Sequence, residues 1–199
     1  MNRRIAFFDF DGTITTKDTL LEFIKFSKGD FLFGLGFLLT SPWLVAFKLK
    51  LISNQRAKEK VLTFFFRNYI LSRFSEDCDR FLADRLPQLI RPKALQEIAK
   101  LREKGAAVVI VSASPENWIK GWAEEMGAAL IATRMETRQG GGRLTGRIEG
   151  NNCHGKEKVR RIAELYTLAD YDEIYTYGDS SGDKPMLQLG TVAFYKPFR

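Results

Sequence analysis

The sequence predicts an α/β protein: a doubly wound, mainly parallel, Rossmann-like sheet with an inserted all-helical cap and a small β-hairpin. Three observations predict it. Ile5-Ala6-Phe7-Phe8 is an unbroken apolar run of the kind found in strands buried on both faces. Comparable runs return at Ala106–Val111, Ala129–Ala132 and Glu173–Tyr177, with helical stretches between them, and strand, helix, strand at this spacing is a parallel-sheet signature. Between the first two runs, Thr19–Leu86 shows no period-two pattern, so it reads as a helical insertion. The expected division is a core of residues 1–16 and 88–199 and a cap of residues 17–87.

Each element follows from local chemistry. Asp18 is placed to cap a helix starting at Thr19, with Leu20, Leu21, Phe23, Ile24 and Phe26 on a wide apolar face, and Lys28-Gly29-Asp30 breaks it. From Phe31 to Phe47 the chain carries no charge and is dense in Phe, Leu and Trp. Ser41-Pro42 is expected to cut this run into two short helices meeting at a turn. Two readings of it stay open. One is a pair of helices buried in the cap; the other is a hairpin dipping into a membrane interface, with Lys48 and Lys50 on the headgroups. A full span needs about 20 apolar residues, and this run sits at the lower edge. Ser53 and Asn54 read as a cap for a helix from Gln55 to about Leu71, and Ser75 starts another to about Leu86. Lys93–Lys104 is amphipathic and closed by Gly105, Glu116–Met126 is helical, and residues 134–150 read as a hairpin turning at Gly140-Gly141-Gly142. Lys156–Tyr166 is a basic helix, Pro185–Leu189 a short one, and Val192–Tyr195 a last strand.

The 199 residues carry 31 Lys and Arg against 24 Asp and Glu, a formal charge of +7. That balance suits an anionic substrate, a membrane surface or nucleic acid without choosing among them. Cys78 and Cys153 lack neighbours at metal-ligand spacing and read as buried free thiols in a reducing compartment. The N-terminus is basic at Arg3 and Arg4, but the apolar run after it is short and contains Asp9, so it does not read as a signal peptide. The expected location is the cytoplasm, with the inner face of the membrane as an extension of the interfacial reading.

Four polar clusters stand just past a strand or at the start of a helix: Asp9 with Asp11, Ser112, Lys156 with Lys158, and Asp179 with Asp183. Open α/β sheets bind ligands beyond the carboxyl ends of their strands. Asp9 and Asp11 are two apart, so on a strand they share a side and repel unless a cation lies between them.

Asp9-Phe10-Asp11-Gly12-Thr13, Ser112 after Val108–Val111, a helical lysine, and Gly178-Asp179-Ser180-Ser181-Gly182-Asp183 occur in this order. Together they resemble the four motifs of the haloacid dehalogenase superfamily, and the helical cap after the first motif resembles its phosphoserine phosphatase-like subgroup. Lys158, or else Lys156, matches the third motif. The resemblance implies phosphomonoester hydrolysis through an aspartyl-phosphate. Asp9 is then the nucleophile and Asp11 the general acid and base, the latter distinguishing phosphatases from relatives that cleave carbon–halogen bonds. It implies Mg²⁺ held by Asp9, Asp11 through its backbone carbonyl, Asp179 and Asp183, and phosphoryl oxygens held by Ser112, Lys158 and the N–H groups of Gly12 and Ala113. Phosphoserine phosphatases carry a glutamate after the first motif and an arginine in the cap; here Asp18 and Lys60 stand at the comparable places. With its apolar run the chain looks similar to bacterial C-type phosphatidylglycerophosphate phosphatases. The implied substrate is a lipid-linked phosphomonoester; the alternatives are a small soluble one such as phosphoserine, or a non-catalytic membrane- or nucleic-acid-binding module. For the enzyme, no nucleic-acid partner is expected, and a peripheral membrane contact through the cap is.

Overall fold

The computed structural model describes residues 3–199. Its sheet has six strands in the order β4-β3-β2-β1-β5-β6. These are β1 (Arg4–Phe8), β2 (Ala106–Pro115), β3 (Ala129–Thr137), β4 (Leu144–Glu149), β5 (Glu173–Gly178) and β6 (Val192–Tyr195). All neighbours pair in parallel except β3 and β4. β1 is central, between β2 and β5, and Ile5, Ala6, Phe7 and Phe8 are fully buried. Ala6 and Phe8 join one core, which includes residues of α4 (Pro92–Glu103) and α5 (Lys120–Glu125). Ile5 and Phe7 join the other, with Ile162 of α6 (Lys156–Leu165) and Met186 of α7 (Lys184–Leu187). Helices on both faces explain why the strand is apolar throughout instead of alternating.

The expected third strand and the first arm of the hairpin are one continuous strand, β3. Its first half pairs with β2 and its second half with β4, so the hairpin extends the sheet instead of standing apart from it.

Between β1 and β2 lie α1 (Thr19–Lys48), α2 (Asn54–Phe66) and α3 (Leu71–Arg80). Asp18 caps α1 through the Leu21 N–H, and Ser53 caps α2 through the Arg56 N–H. The expected break at Gly29 is present: its φ of 77° and ψ of 166° interrupt the helix. The expected turn at Ser41-Pro42 is absent, and the helix runs through Pro42. Proline lacks the N–H that would bind the Leu38 carbonyl, but the Ser41 hydroxyl donates to that oxygen at 2.7 Å. The local polar requirement is met, so one long helix replaces the expected pair. α2 ends at Phe66, and Asn68, with a φ of 64°, turns the chain before α3.

The run from 31 to 49 has two unlike faces. Phe33, Phe37 and Leu44 pack against the core, where Phe37 meets Phe65 of α2 at a ring distance of 6.0 Å. Gly36 makes this fit: a Cβ there would lie 2.1 Å from the Phe65 ring. On the opposite face Phe31, Leu38 and Val45 are 80%, 69% and 54% exposed. The reading of this segment as a fully buried pair of helices is therefore wrong. α2 in turn lies along β4: Thr63 Oγ1 donates to the Gly146 carbonyl at 3.0 Å, and Glu59 Oε1 accepts the Ile148 N–H.

Candidate active site

Three of the six strands, β1, β2 and β5, lead into one cluster at the carboxyl end of the sheet, to which α6 adds Lys158. Asp9 follows β1 directly and is buried. The chain then makes a wide turn closed by the Thr15 N–H on the Phe10 carbonyl at 3.0 Å. Gly12 occupies that turn with a φ of 79°, and a Cβ there would lie 2.5 Å from Asp179 Oδ2. Glycine is required both for the backbone conformation and for the approach of the loop after β5.

The expectation that Asp9 and Asp11 face each other from one strand is corrected. β1 ends at Phe8, and Asp11 lies in the turn, so the two carboxylates take different partners. Asp11 Oδ1 accepts the Thr19 N–H at 2.7 Å and the Thr19 hydroxyl at 2.6 Å; its Oδ2 accepts the Ser114 hydroxyl at 2.6 Å. The Trp118 indole donates to the Thr19 hydroxyl, completing a buried network between α1 and β2. Asp9 Oδ2 accepts the Thr13 hydroxyl at 3.0 Å, while Oδ1 pairs with Lys158.

The choice between the two lysines is geometric. Lys156 is exposed, whereas Lys158 is 1% exposed and its Nζ lies 2.6 Å from Asp9 Oδ1, 2.7 Å from Asp183 Oδ1 and 2.7 Å from the Val111 carbonyl. All three ammonium protons have an acceptor. The cation that Asp9 needs is thus supplied by the protein. Burial pushes the Asp9 carboxyl up to about 7, with Lys158 pulling the other way. Burial alone would lower Lys158, but Asp9 and Asp183 outweigh it and raise its pKa. For Asp183 burial likewise acts upward, and Lys158 and Ser180 outweigh it, holding the carboxyl below its usual range. The Ser180 hydroxyl and N–H and the Asp179 N–H all donate to Asp183 Oδ2, which fixes the loop. Asp179 is raised by burial and by Asp183, and its Oδ2 accepts Arg199 at 2.6 Å.

Asp9, Asp179 and Asp183 each offer a carboxylate oxygen, and these oxygens lie within 4.8 Å of one another. An all-oxygen, anionic donor set is what a hard divalent cation such as Mg²⁺ takes, so these residues fit the ion. The Asp11 carboxylate is not in this group; it is turned to Thr19 and Ser114. Ser112 is fully buried and its Oγ accepts the Ser114 N–H at 3.0 Å. The strand expected to stop at Val111 continues to Pro115 with a register shift between Ser112 and Pro115, which presents this segment at the site. The Gly12 N–H donates to Thr15 Oγ1, and the Ala113 carbonyl accepts Lys58 Nζ at 2.9 Å.

Lys58 is one residue that sequence reasoning missed. Lys60 was matched to the cap arginine of phosphoserine phosphatases, but Lys60 stands over the Trp43 ring at 4.3 Å. Two residues on an α-helix point about 200° apart, so Lys58 faces the sheet, where Asn152 Oδ1 is a second acceptor. Burial lowers its pKa, with Asp18 and Asp11 acting in opposition. Burial and the Asp11 charge raise Asp18 to about 6. Helical periodicity was the signal that could have separated Lys58 from Lys60. Ser114 was also missed, although it sits two residues from Ser112. His154 is exposed, and its ring edge lies where a Cβ on Gly182 would fall.

A family model of haloacid dehalogenase-like hydrolases matches residues 6–188. The chain belongs to this family. It is 36% identical over 195 residues to the protein CicA of Caulobacter vibrioides, covering 96% of this chain and 85% of that one. It is 30% identical over 206 residues to a probable phosphatase of Mycobacterium tuberculosis, covering 99% and 70%. Among solved structures, a Bordetella pertussis protein of unknown function superposes with a TM-score of 0.80 at 24% identity, covering 96% and 88%. A substrate-bound phosphoserine phosphatase superposes at 0.71 with 14% identity, covering 98% and 86%, which shows a shared fold. The protein is therefore a hydrolase of the haloacid dehalogenase-like family and a homologue of a probable phosphatase.

Proposed function

We propose that this protein is a Mg²⁺-dependent phosphomonoester hydrolase working through an aspartyl-phosphate on Asp9, with a core of residues 1–16 and 88–199 and a cap of residues 17–87. The observation that carries the reading is the separation of the two aspartates. Asp9 is held in the acidic cluster by Lys158 and Thr13, whereas Asp11 is held away from it by Thr19 and Ser114. A nucleophile and a proton-transfer group need such different environments.

In this mechanism Asp9 attacks phosphorus, the bond to the leaving oxygen breaks, and Asp11 delivers a proton to that oxygen. Water then attacks the aspartyl-phosphate, Asp11 takes its proton, and phosphate leaves with Asp9 restored. Lys158 neutralises Asp9 and, with Ser112 and the N–H groups of Gly12 and Ala113, holds the phosphoryl oxygens. Asp9, Asp179, Asp183 and the backbone carbonyl of Asp11 would hold Mg²⁺. When bound, the ion supplies charge neutralisation at the transferring phosphoryl group.

The substrate we favour is a lipid-linked phosphomonoester such as phosphatidylglycerophosphate, met at the cytoplasmic face of a membrane by the cap. The exposed apolar face of α1 supports this. A second reading, a small zwitterionic phosphomonoester such as phosphoserine, draws on Lys58 and Asp18, which place opposite charges near Asp11. Phosphate release from a generic aryl phosphate, with and without Mg²⁺, tests the reaction class. Turnover is expected only with the ion, and Asp9→Asn should lower it by a factor on the order of 10⁴ or more. An Asp9→Asn variant that keeps its activity refutes the nucleophile assignment. A panel of lipid phosphates in detergent beside phosphoserine then decides the substrate; turnover of phosphoserine alone sinks the lipid version.

A further inference from the structure

Beside the long helix, and away from the acidic cluster, lies a trough of about 900 Å³ lined by α1, α2 and the β3–β4 hairpin. Five cations line it: Arg56, Lys60, Arg67, Arg138 and Arg147. The two carboxylates present, Glu59 and Glu136, bond to neutral donors and keep their charge, so the lining holds three more positive than negative groups. Glu59 accepts from the Ile148 N–H, and Glu136 accepts from the Thr145 hydroxyl at 2.7 Å. Among the described residues none of the five cations forms an ion pair with a carboxylate. A trough with this positive excess attracts anions.

Its wall is continuous with the apolar face. Trp43 lines the trough, and Leu35, Leu39 and Trp43 follow one another at i, i+4 along the helix, next to the stripe of Phe31, Leu38 and Val45. Lys60 lies on the Trp43 ring where the two surfaces join. The helix Thr19–Lys48 is long and apolar enough by length and composition to cross a membrane, yet between residues 31 and 47 its inner face is taken by Phe65. Only the outer face is free. An apolar stripe along a helix with cations beside it matches the layering of a bilayer interface, acyl chains next to anionic headgroups. A two-fold contact between copies would set one set of five cations against another, and nucleic acid gives the apolar stripe nothing to bury against.

We infer that the trough and the outer face of α1 form one docking surface for an anionic phospholipid bilayer, the trough taking the phosphate headgroups and the stripe entering the acyl boundary. This deepens the membrane reading of the cap but does not depend on which phosphomonoester is hydrolysed.

Flotation with vesicles of phosphatidylcholine, with or without phosphatidylglycerol, tests it; both lipids are phosphodiesters, so docking is read without turnover. Binding is expected on the anionic vesicles, weakening as salt is raised, and little on the neutral ones. Replacing Arg56, Lys60 and Arg67 together by alanine should lower partitioning on the order of 100-fold, at about five-fold per charge. Leu35→Ser with Leu38→Ser should also lower it. Both variants should keep the wild-type rate on the aryl phosphate, which shows that they fold. Equal binding to both vesicle types, no binding to anionic vesicles at low salt, or a triple variant that binds like the wild type overturns the inference. So does a dimer in light scattering that Leu38→Ser disperses without changing flotation. If docking holds but no lipid phosphate is hydrolysed, the substrate reading fails and the docking surface stands.

Discussion

At the carboxyl end of β1 the chain buries Asp9, Lys158 and Asp183, whereas along α1 it leaves Phe31, Leu38 and Val45 in contact with solvent. Each region inverts the usual placement of its residue types. The difference lies in whether the inversion is resolved inside the molecule. The buried charges find one another at 2.6 and 2.7 Å, with Thr13, Ser180 and the Val111 carbonyl taking further bonds. Among the described residues nothing covers the exposed apolar face. A resolved inversion is a constraint on the fold; an unresolved one points to something outside it.

Removing a member of the first region should therefore be costly. Lys158→Met leaves two carboxylates buried without their cation and should destabilise the protein by about 3–5 kcal/mol. Urea titration monitored by circular dichroism measures this; a loss below about 1 kcal/mol would show that the cluster is not a structural constraint. Next comes the seam between the two faces of α1. Gly36→Leu drives a side chain into the space of the Phe65 ring and should cost about 1–3 kcal/mol by overpacking, read as a lower urea midpoint. Third is a surface charge pair outside both regions. Arg160 and Arg161 hold Glu157 down at about 2. A depressed carboxyl contributes stability above its unfolded pKa of about 4.3 and loses it as pH falls through its folded pKa of about 2. Glu157→Gln should thus cost under about 1 kcal/mol at neutral pH, less as pH falls from about 4 to 2, and nothing well below pH 2. Smallest is Leu38→Ser, in the second region, which should stay within about 0.5 kcal/mol of wild type because the side chain already faces water. A large loss there would mean that the outer face is covered within the molecule, and the comparison would fail.

The parallel sheet was legible because strands buried on both faces must be apolar throughout, as Ile5–Phe8 and Val108–Val111 are. The helical insertion was legible from the absence of any period-two pattern. Pro42 misled because the compensating bond comes from the side chain of its neighbour Ser41, a contact no propensity encodes. The third strand and the hairpin arm were split because Thr133 and Arg134 break the apolar run, although β2 and β4 pair with the two halves of the same strand. In the candidate site, Asp9, Asp179 and Asp183 stood out by their positions after strands, and the helical lysine came only from the resemblance to the family's motifs. The choice of Lys158 over Lys156, and the reach of Lys58 instead of Lys60, depended on which way each helix face turns.

The sequence by itself determined which charged residues stand at the ends of the buried strands and in what order, and such groups have few structural uses. Only the tertiary structure decided how they are shared out: Asp9 to Lys158, Asp11 to Thr19 and Ser114, Lys58 to the site and Lys60 to the trough. It also decided that the most apolar stretch of the chain lies half outside. Composition fixes how much apolar surface a helix has, but only packing against its neighbours fixes how much of it is hidden.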